Sequence, residues 1–215
     1  MRKGSVWGTL LSVAMIAAAA AVLVTGSHEI SKDRIVANQR ARLLQSLSSV
    51  LDPALAGEDL NAVLISALDP TLLGSSEPVD VFVAMDAGRP AAIVFASIAP
   101  DGYNAAIRLL VGVSVDATVT GVRVVGHRET PGLGDAIDVS KSDWITQFDG
   151  KTLAEPALEL WAVDKDDGAF DSITGATVTP RAVVKAVKNT LIYFRDHKDE
   201  LFAAAVQAAS AAANE

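Results

Sequence analysis

From position 4 to position 27 the chain carries no charged residue. Within that stretch, 6–25 is a 20-residue apolar run. As a helix it would be roughly 30 Å long, enough to cross a bilayer. Leu10, Leu11, Val13, Ile16, Val22, Leu23 and Val24 bracket its milder alanine core. Arg2 and Lys3 precede it, which keeps the N-terminus in the cytoplasm and sends the rest across the membrane. Small residues at 17–21 also suit a signal-peptidase site, but the run continues through Val24, which favours a retained anchor. Beyond it, Ile35, Leu43, Leu44, Leu47, Val50 and Leu51 recur at helical spacing, with Lys32, Asp33, Arg34, Arg40 and Arg42 off the stripe. That pattern predicts an amphipathic helix over 30–51. A short helix is expected at 60–68, before Pro70, and a turn at Gly74-Ser75-Ser76.

The period then changes from helical to two. Val79, Val81 and Val83 alternate, and 91–98, 107–115 and 118–125 are β-rich runs separated by turn residues. The last two, joined at Asp116-Ala117, predict an antiparallel hairpin. Leu158, Leu160 and Ala162 suggest one more strand. Val183, Val184, Val187, Leu191 and Phe194 return to helical spacing, with Thr179 as the expected cap and Pro180 at the first helical position. A further alanine-rich helix is expected over 198–213. The chain therefore divides into a cytoplasmic tip and transmembrane helix (1–27), an amphipathic connector (28–77), an α+β domain with a small antiparallel sheet and flanking helices (78–196), and a C-terminal helix or tail (197–215).

Charge and composition narrow the chemistry. A net charge of −8 argues against a nucleic-acid surface and against a polybasic lipid-binding one. Absence of cysteine excludes disulfides, thiol catalysis and cysteine-ligated iron–sulfur clusters. Three scattered histidines, His28, His127 and His197, make no metal site. Asp164-Lys165-Asp166-Asp167-Gly168 looks like a calcium loop but fails as one. Its glycine stands at loop position 5, and position 12 is Gly175. It is expected to be a polar turn.

Two loops remain. His127-Arg128-Glu129-Thr130-Pro131-Gly132-Leu133-Gly134 is constrained by proline and glycine, so its amides can approach a ligand. It is no dinucleotide fingerprint, because Ile137 stands where the third glycine would be. Asp171-Ser172-Ile173-Thr174-Gly175-Ala176-Thr177 runs into the start of a helix, whose free amides and partial positive charge suit a phosphate. Taken alone, each loop is an ordinary turn.

Taken whole, Asp-x-x-Thr-Gly-Ala-Thr at 171–177 resembles the site where flavin transferase attaches FMN to threonine. The stretch from His127 to Gly134 is similar to a second signature of the same flavin subunits. Together they resemble the G subunit of the Rnf-type ion-translocating oxidoreductase complex, a relative of the C subunit of the sodium-translocating NADH:quinone oxidoreductase. The resemblance implies FMN linked through its phosphate to Thr177, beside Thr174, Gly175 and Ala176. It places Glu129, Thr130, Leu133 and Gly134 near the isoalloxazine. Tyr103 and Trp144 also recur in the family, each a flavin contact or a core aromatic.

As implied, the protein is a single-pass inner-membrane subunit with its flavin domain in the periplasm. It relays electrons between partners that include other membrane subunits and iron–sulfur proteins, and contains no catalytic base or metal of its own. The NADH:quinone oxidoreductase counterpart, a free periplasmic flavoprotein reductase and an unflavinylated assembly protein are the alternatives.

Overall fold

The computed structural model describes residues 45–52 and 62–212, together with positions 10, 11, 13–15 and 17. The chain forms two compact units, 1–44 and 45–215. In the first, the described positions are helical and expose Leu10, Leu11, Val13 and Met15. The rest of the predicted 6–25 span lies outside the described residues, as does the predicted amphipathic helix before residue 45. Among the described residues no helix is long and apolar enough to cross a membrane.

The second unit is built on a five-stranded antiparallel sheet. Its strands are β1 (Ala62–Ala67), β2 (Val79–Asp86), β3 (Arg89–Ala99), β4 (Ile107–Ser114) and β5 (Val119–Gly126). Their order in the sheet is their order in the chain, a meander closed by short turns. Ala87 and Gly88, both at positive φ, make the β2–β3 reversal, which suits the twist of a two-residue hairpin. Ala117 does the same work between β4 and β5 at φ 62°.

One face of the sheet meets a single C-terminal helix, α1 (Val178–Ala212). Val81, Val83, Ile93, Phe95, Leu109 and Val111 are fully buried there with Val183, Val187, Leu191 and Phe194 of the helix. Phe95 meets Tyr193 and Phe194 edge-on at 6.0 and 6.3 Å. Burial of each such side chain contributes about 1.5–3 kcal/mol. The opposite face carries Phe82, Ala84, Ala92, Val94 and Leu110, covered by Leu47, Val50 and Leu51 of the 45–52 turn, which is helical over 45–48 as the 30–51 pattern predicts. This turn comes so close that side chains are excluded beneath it. A Cβ on Gly112 would stand 2.2 Å from the Val50 carbonyl oxygen, and one on its cross-strand partner Gly121 would stand 2.9 Å from Val50 Cα. Thr120 donates its hydroxyl to the same carbonyl.

Three expectations are corrected. Residues 62–67 form strand β1, not part of a helix at 60–68. Six residues are too few for periodicity to separate the two, and pairing of Ala62–Ala67 with Val79–Ala84 decides the matter. The sheet thus begins within the stretch assigned above to the connector. Leu158–Leu160 is a 3-10 turn with both leucines partly exposed. No sheet edge takes it up, and Trp161 and Val163 are buried instead. Finally, the two predicted C-terminal helices are one, because no glycine or proline interrupts 181–212. His197 stacks on Tyr193 at 4.3 Å, Lys198 donates to the Val115 carbonyl at 2.6 Å, and Leu201 and Ala205 are buried. These contacts carry the helix past the expected break.

Candidate functional site

An aromatic cluster supports the site. Phe148 and Phe170 stack at 4.9 Å, Trp161 lies 4.8 Å from Phe170, and Trp144 meets Phe148 edge-on at 5.7 Å. Trp144 comes from the 3-10 turn Trp144–Phe148. Its indole N–H donates to the Asp171 carbonyl at 2.7 Å, while the Asp171 N–H donates to Gln147 at 2.8 Å. The start of the 171–177 stretch is thereby held on the core. From there the chain makes a tight turn in which the Ala176 N–H donates to the Ile173 carbonyl at 3.1 Å. Gly175, third of the four residues, has φ 81°, which a side chain would strain. A Cβ there would also meet Leu133 at 3.0 Å, so this glycine lets the two loops approach each other.

Helix α1 starts at Val178, directly after Thr177. The predicted cap is therefore displaced by two residues: Thr177 takes the position before the helix, and Pro180 is third within it. Proline is tolerated there because the first turn's N–H groups lack partners within the helix. Thr179 has a different task. Its hydroxyl is buried and donates to the Glu129 carboxylate. Glu129, only 4% exposed, accepts a second bond at 3.1 Å from the Asn104 N–H. The Asn104 side chain reaches the Arg128 carbonyl at 3.0 Å and the Thr130 hydroxyl at 3.3 Å. A buried carboxylate thus ties the 127–134 loop to both the helix start and the segment before β4. Gly134 leaves room where they meet, since a Cβ would press on Glu129 Cβ at 3.0 Å and on the Thr179 hydroxyl at 3.1 Å.

Between the loops lies a cavity of about 480 Å³. Glu129, Thr130, Leu133 and Gly134 line one side, the 175–179 stretch lines the other, and Tyr103 stands at the edge. Tyr103 is 68% exposed, and Leu133 and Val178 are about half so. Of the residues singled out in the sequence, the structure brings together Tyr103, Glu129, Thr130, Leu133, Gly134, Gly175, Ala176 and Thr177. Thr174 is in the adjoining turn, outside the lining. Trp144 is buried in the aromatic cluster, also lies outside the lining, and anchors Asp171.

Sequence reasoning missed the neighbours that brace this stretch. Lys165 donates from Nζ to the Thr177 hydroxyl at 3.2 Å. Asp164 accepts from the Ser172 hydroxyl, and Asp166 forms a bidentate pair with Arg181 at 2.5 Å. The Ser172 hydrogen bond holds the Asp164 carboxyl below its ordinary range, and the Arg181 guanidinium does the same for Asp166. A depressed carboxylate contributes its hold above the ordinary value of 3.8, and loses it as pH falls through the lower folded value. Carbon-detected NMR titration should therefore give both carboxyls midpoints below 3.8. Midpoints at or above the ordinary value would contradict the bracing.

Residues 102–192 match the FMN-binding domain family. That span runs from just before β4 into α1 and contains the whole cavity lining. Over most of its length the chain is similar to proteins named as the G subunit of an ion-translocating oxidoreductase complex. It is 43% identical to that of Shewanella baltica (strain OS223) over 180 residues, 84% of this chain and 85% of the relative. Against that of Vibrio atlanticus (strain LGP32), identity is 43% over 195 residues, 90% and 92% of the two chains. The chain belongs to this G-subunit family. A third relative, from Aliivibrio fischeri (strain MJ11), is 42% identical over 201 residues and extends the match to 94% of this chain.

An FMN-binding domain has to accept a flat, largely apolar ring system and a phosphate, and the cavity suits both. Its volume lies within the range of about 300–1,000 Å³ usual for small-molecule sites. The side chains of Leu133, Val178 and Tyr103 offer apolar surface, and Gly134 and Gly175 leave room at the backbone. The start of α1 and the Lys165 ammonium supply positive charge beside Thr177.

Proposed function

We propose that this chain is the membrane-anchored flavoprotein subunit of an ion-translocating ferredoxin:NAD oxidoreductase of the Rnf type, carrying FMN covalently on Thr177. The observation that carries this reading is Thr177, which lines the cavity directly before a helix, within the sequence Asp-x-x-Thr-Gly-Ala-Thr. A threonine hydroxyl is a weak nucleophile, so attachment needs flavin transferase and an activated donor, a flavin nucleotide whose phosphate sits in a phosphoanhydride. The Thr177 oxygen–phosphorus bond forms, the anhydride P–O bond breaks, the second phosphate leaves, and the hydroxyl proton is released.

Bound FMN supplies a redox centre that handles one or two electrons. The residues of the chain orient it. Leu133, Val178 and Tyr103 would hold the ring system, and Glu129 ties the two walls of the cavity together. The linkage would prevent loss of the cofactor. The electron partners are membrane and iron–sulfur subunits of the complex, since the chain holds no cysteine for a cluster and pumps nothing alone. Arg2, Lys3 and the apolar 6–25 run support an inner-membrane anchor with the flavin domain in the periplasm.

Membranes from cells producing the chain with flavin transferase test this directly. They should yield, on a denaturing gel, a flavin-fluorescent band near the chain's 22.3 kDa. A dark band at that mass, or fluorescence confined to the soluble fraction, would contradict it.

A further inference from the structure

The 164–168 turn, unexplained by calcium, touches the 171–181 segment through three consecutive residues. Asp164 takes the Ser172 hydroxyl, Lys165 meets the Thr177 hydroxyl, and Asp166 grips Arg181. The turn itself is tightly closed. The Asp164 N–H donates to the Phe170 carbonyl at 2.6 Å and the Gly168 N–H to the Val163 carbonyl at 3.0 Å. A Cβ on Gly168 would stand 1.9 Å from the Ala162 carbonyl oxygen, so only glycine closes it. The charges are then unequally matched. Arg181 is paired with a carboxylate, whereas the Lys165 ammonium is aimed at a neutral hydroxyl.

We infer that Lys165 is the positioning residue for the flavin phosphate. It pairs with the phosphate oxygens as the Thr177 oxygen–phosphorus bond forms, and stays paired with the phosphodiester afterwards. This deepens the covalent-flavin reading and rests on it. The bonds made and broken are those already given, with the flavin phosphoanhydride as donor; Lys165 remains protonated and takes no proton from the hydroxyl. The acidity of its own turn makes the cation necessary. Asp164, Asp166 and Asp167 against Lys165 and Arg181 leave a formal charge of −1, and removing Lys165 leaves −2, facing an incoming anion. Arginine at 165 would keep the charge and the donors, while methionine would keep the stem alone.

The test uses full-length chain, purified in detergent from a host lacking flavin transferase, and then given transferase and flavin adenine dinucleotide. Intact mass and fluorescence after denaturation follow the fraction flavinylated. Lys165→Met should slow the initial rate roughly tenfold or more, as expected for losing a charge-assisted contact, while Lys165→Arg stays within about threefold of the unsubstituted chain. Added salt should slow the unsubstituted chain but not Lys165→Met, where it screens the remaining acidic charge, a difference that a merely structural lysine would not give. If Lys165→Met lowers the melting temperature, the salt response of the unsubstituted chain decides. Equal rates for Lys165→Met and the unsubstituted chain, equal losses in Met and Arg variants, or no salt response would each overturn the role of Lys165 alone. An unsubstituted chain that takes no flavin would overturn the covalent reading and this inference with it.

Discussion

Thr177→Ala should give a folded, membrane-bound chain from which no flavin signal survives denaturation. The expected loss is complete, because alanine offers no oxygen to phosphorus and Thr174, in the neighbouring turn, lies outside the cavity lining. Thr177→Ser should keep the signal, since it keeps the oxygen. The fold should be little affected. The Thr177 hydroxyl accepts one bond from an exposed lysine, and losing a polar residue before a helix costs about 1 kcal/mol. Chain abundance and melting temperature should therefore stay close to those of the unsubstituted protein. Fluorescence that persists in the alanine variant would move the attachment elsewhere.

The second large effect is expected at Glu129, and it is one of stability. Glu129→Ala takes the acceptor from the Asn104 N–H and the buried Thr179 hydroxyl, which both now donate to one carboxylate. The buried Thr179 hydroxyl costs about 1–3 kcal/mol when left without a partner, whereas the N–H of exposed Asn104 can turn to water, so a loss of about 2 kcal/mol is expected. At about 2–4 °C per kcal/mol for a domain of this size, the melting temperature should fall by roughly 6 °C. Glu129→Gln should cost less. It keeps an acceptor for Asn104, and the Thr179 hydroxyl can rotate to accept from the new amide. Flavin incorporation should slow in parallel with the loss of stability, since Glu129 joins the cavity's two walls. Circular dichroism melts compare the three proteins, and an alanine variant that melts with the unsubstituted chain would show that the carboxylate does not join them.

Strands β2 to β5 were legible because apolar runs of strand length were separated by turn residues. Strand β1 was not, because an edge strand of six residues carries no distinguishing period. The cover over the second face had a visible trace. In β2, Val81, Phe82, Val83 and Ala84 are consecutive buried residues, where a sheet with one wet face would alternate. Gly112 and Gly121 mark where the 45–52 turn lies. Both loops of the site were identified by their residue order, and the structure brings them to one cavity. Lys165 was invisible for a physical reason. Its role depends on the turn folding back across twelve positions onto Thr177, and a lysine in an acidic turn otherwise looks like a solvated charge. Trp144 was ambiguous because a tryptophan that stacks on a ligand and one that fills a core have the same local sequence. In the structure it is buried, with its indole N–H donating to the Asp171 carbonyl.

The most direct test is a peptide map of natively isolated protein, read by mass spectrometry across 171–181. The peptide containing Thr177 should be heavier by roughly 440 Da, the mass of FMN joined with loss of water, with fragment ions placing the addition on Thr177. A peptide of unmodified mass from material made in a host with flavin transferase would contradict a covalently flavinylated electron carrier.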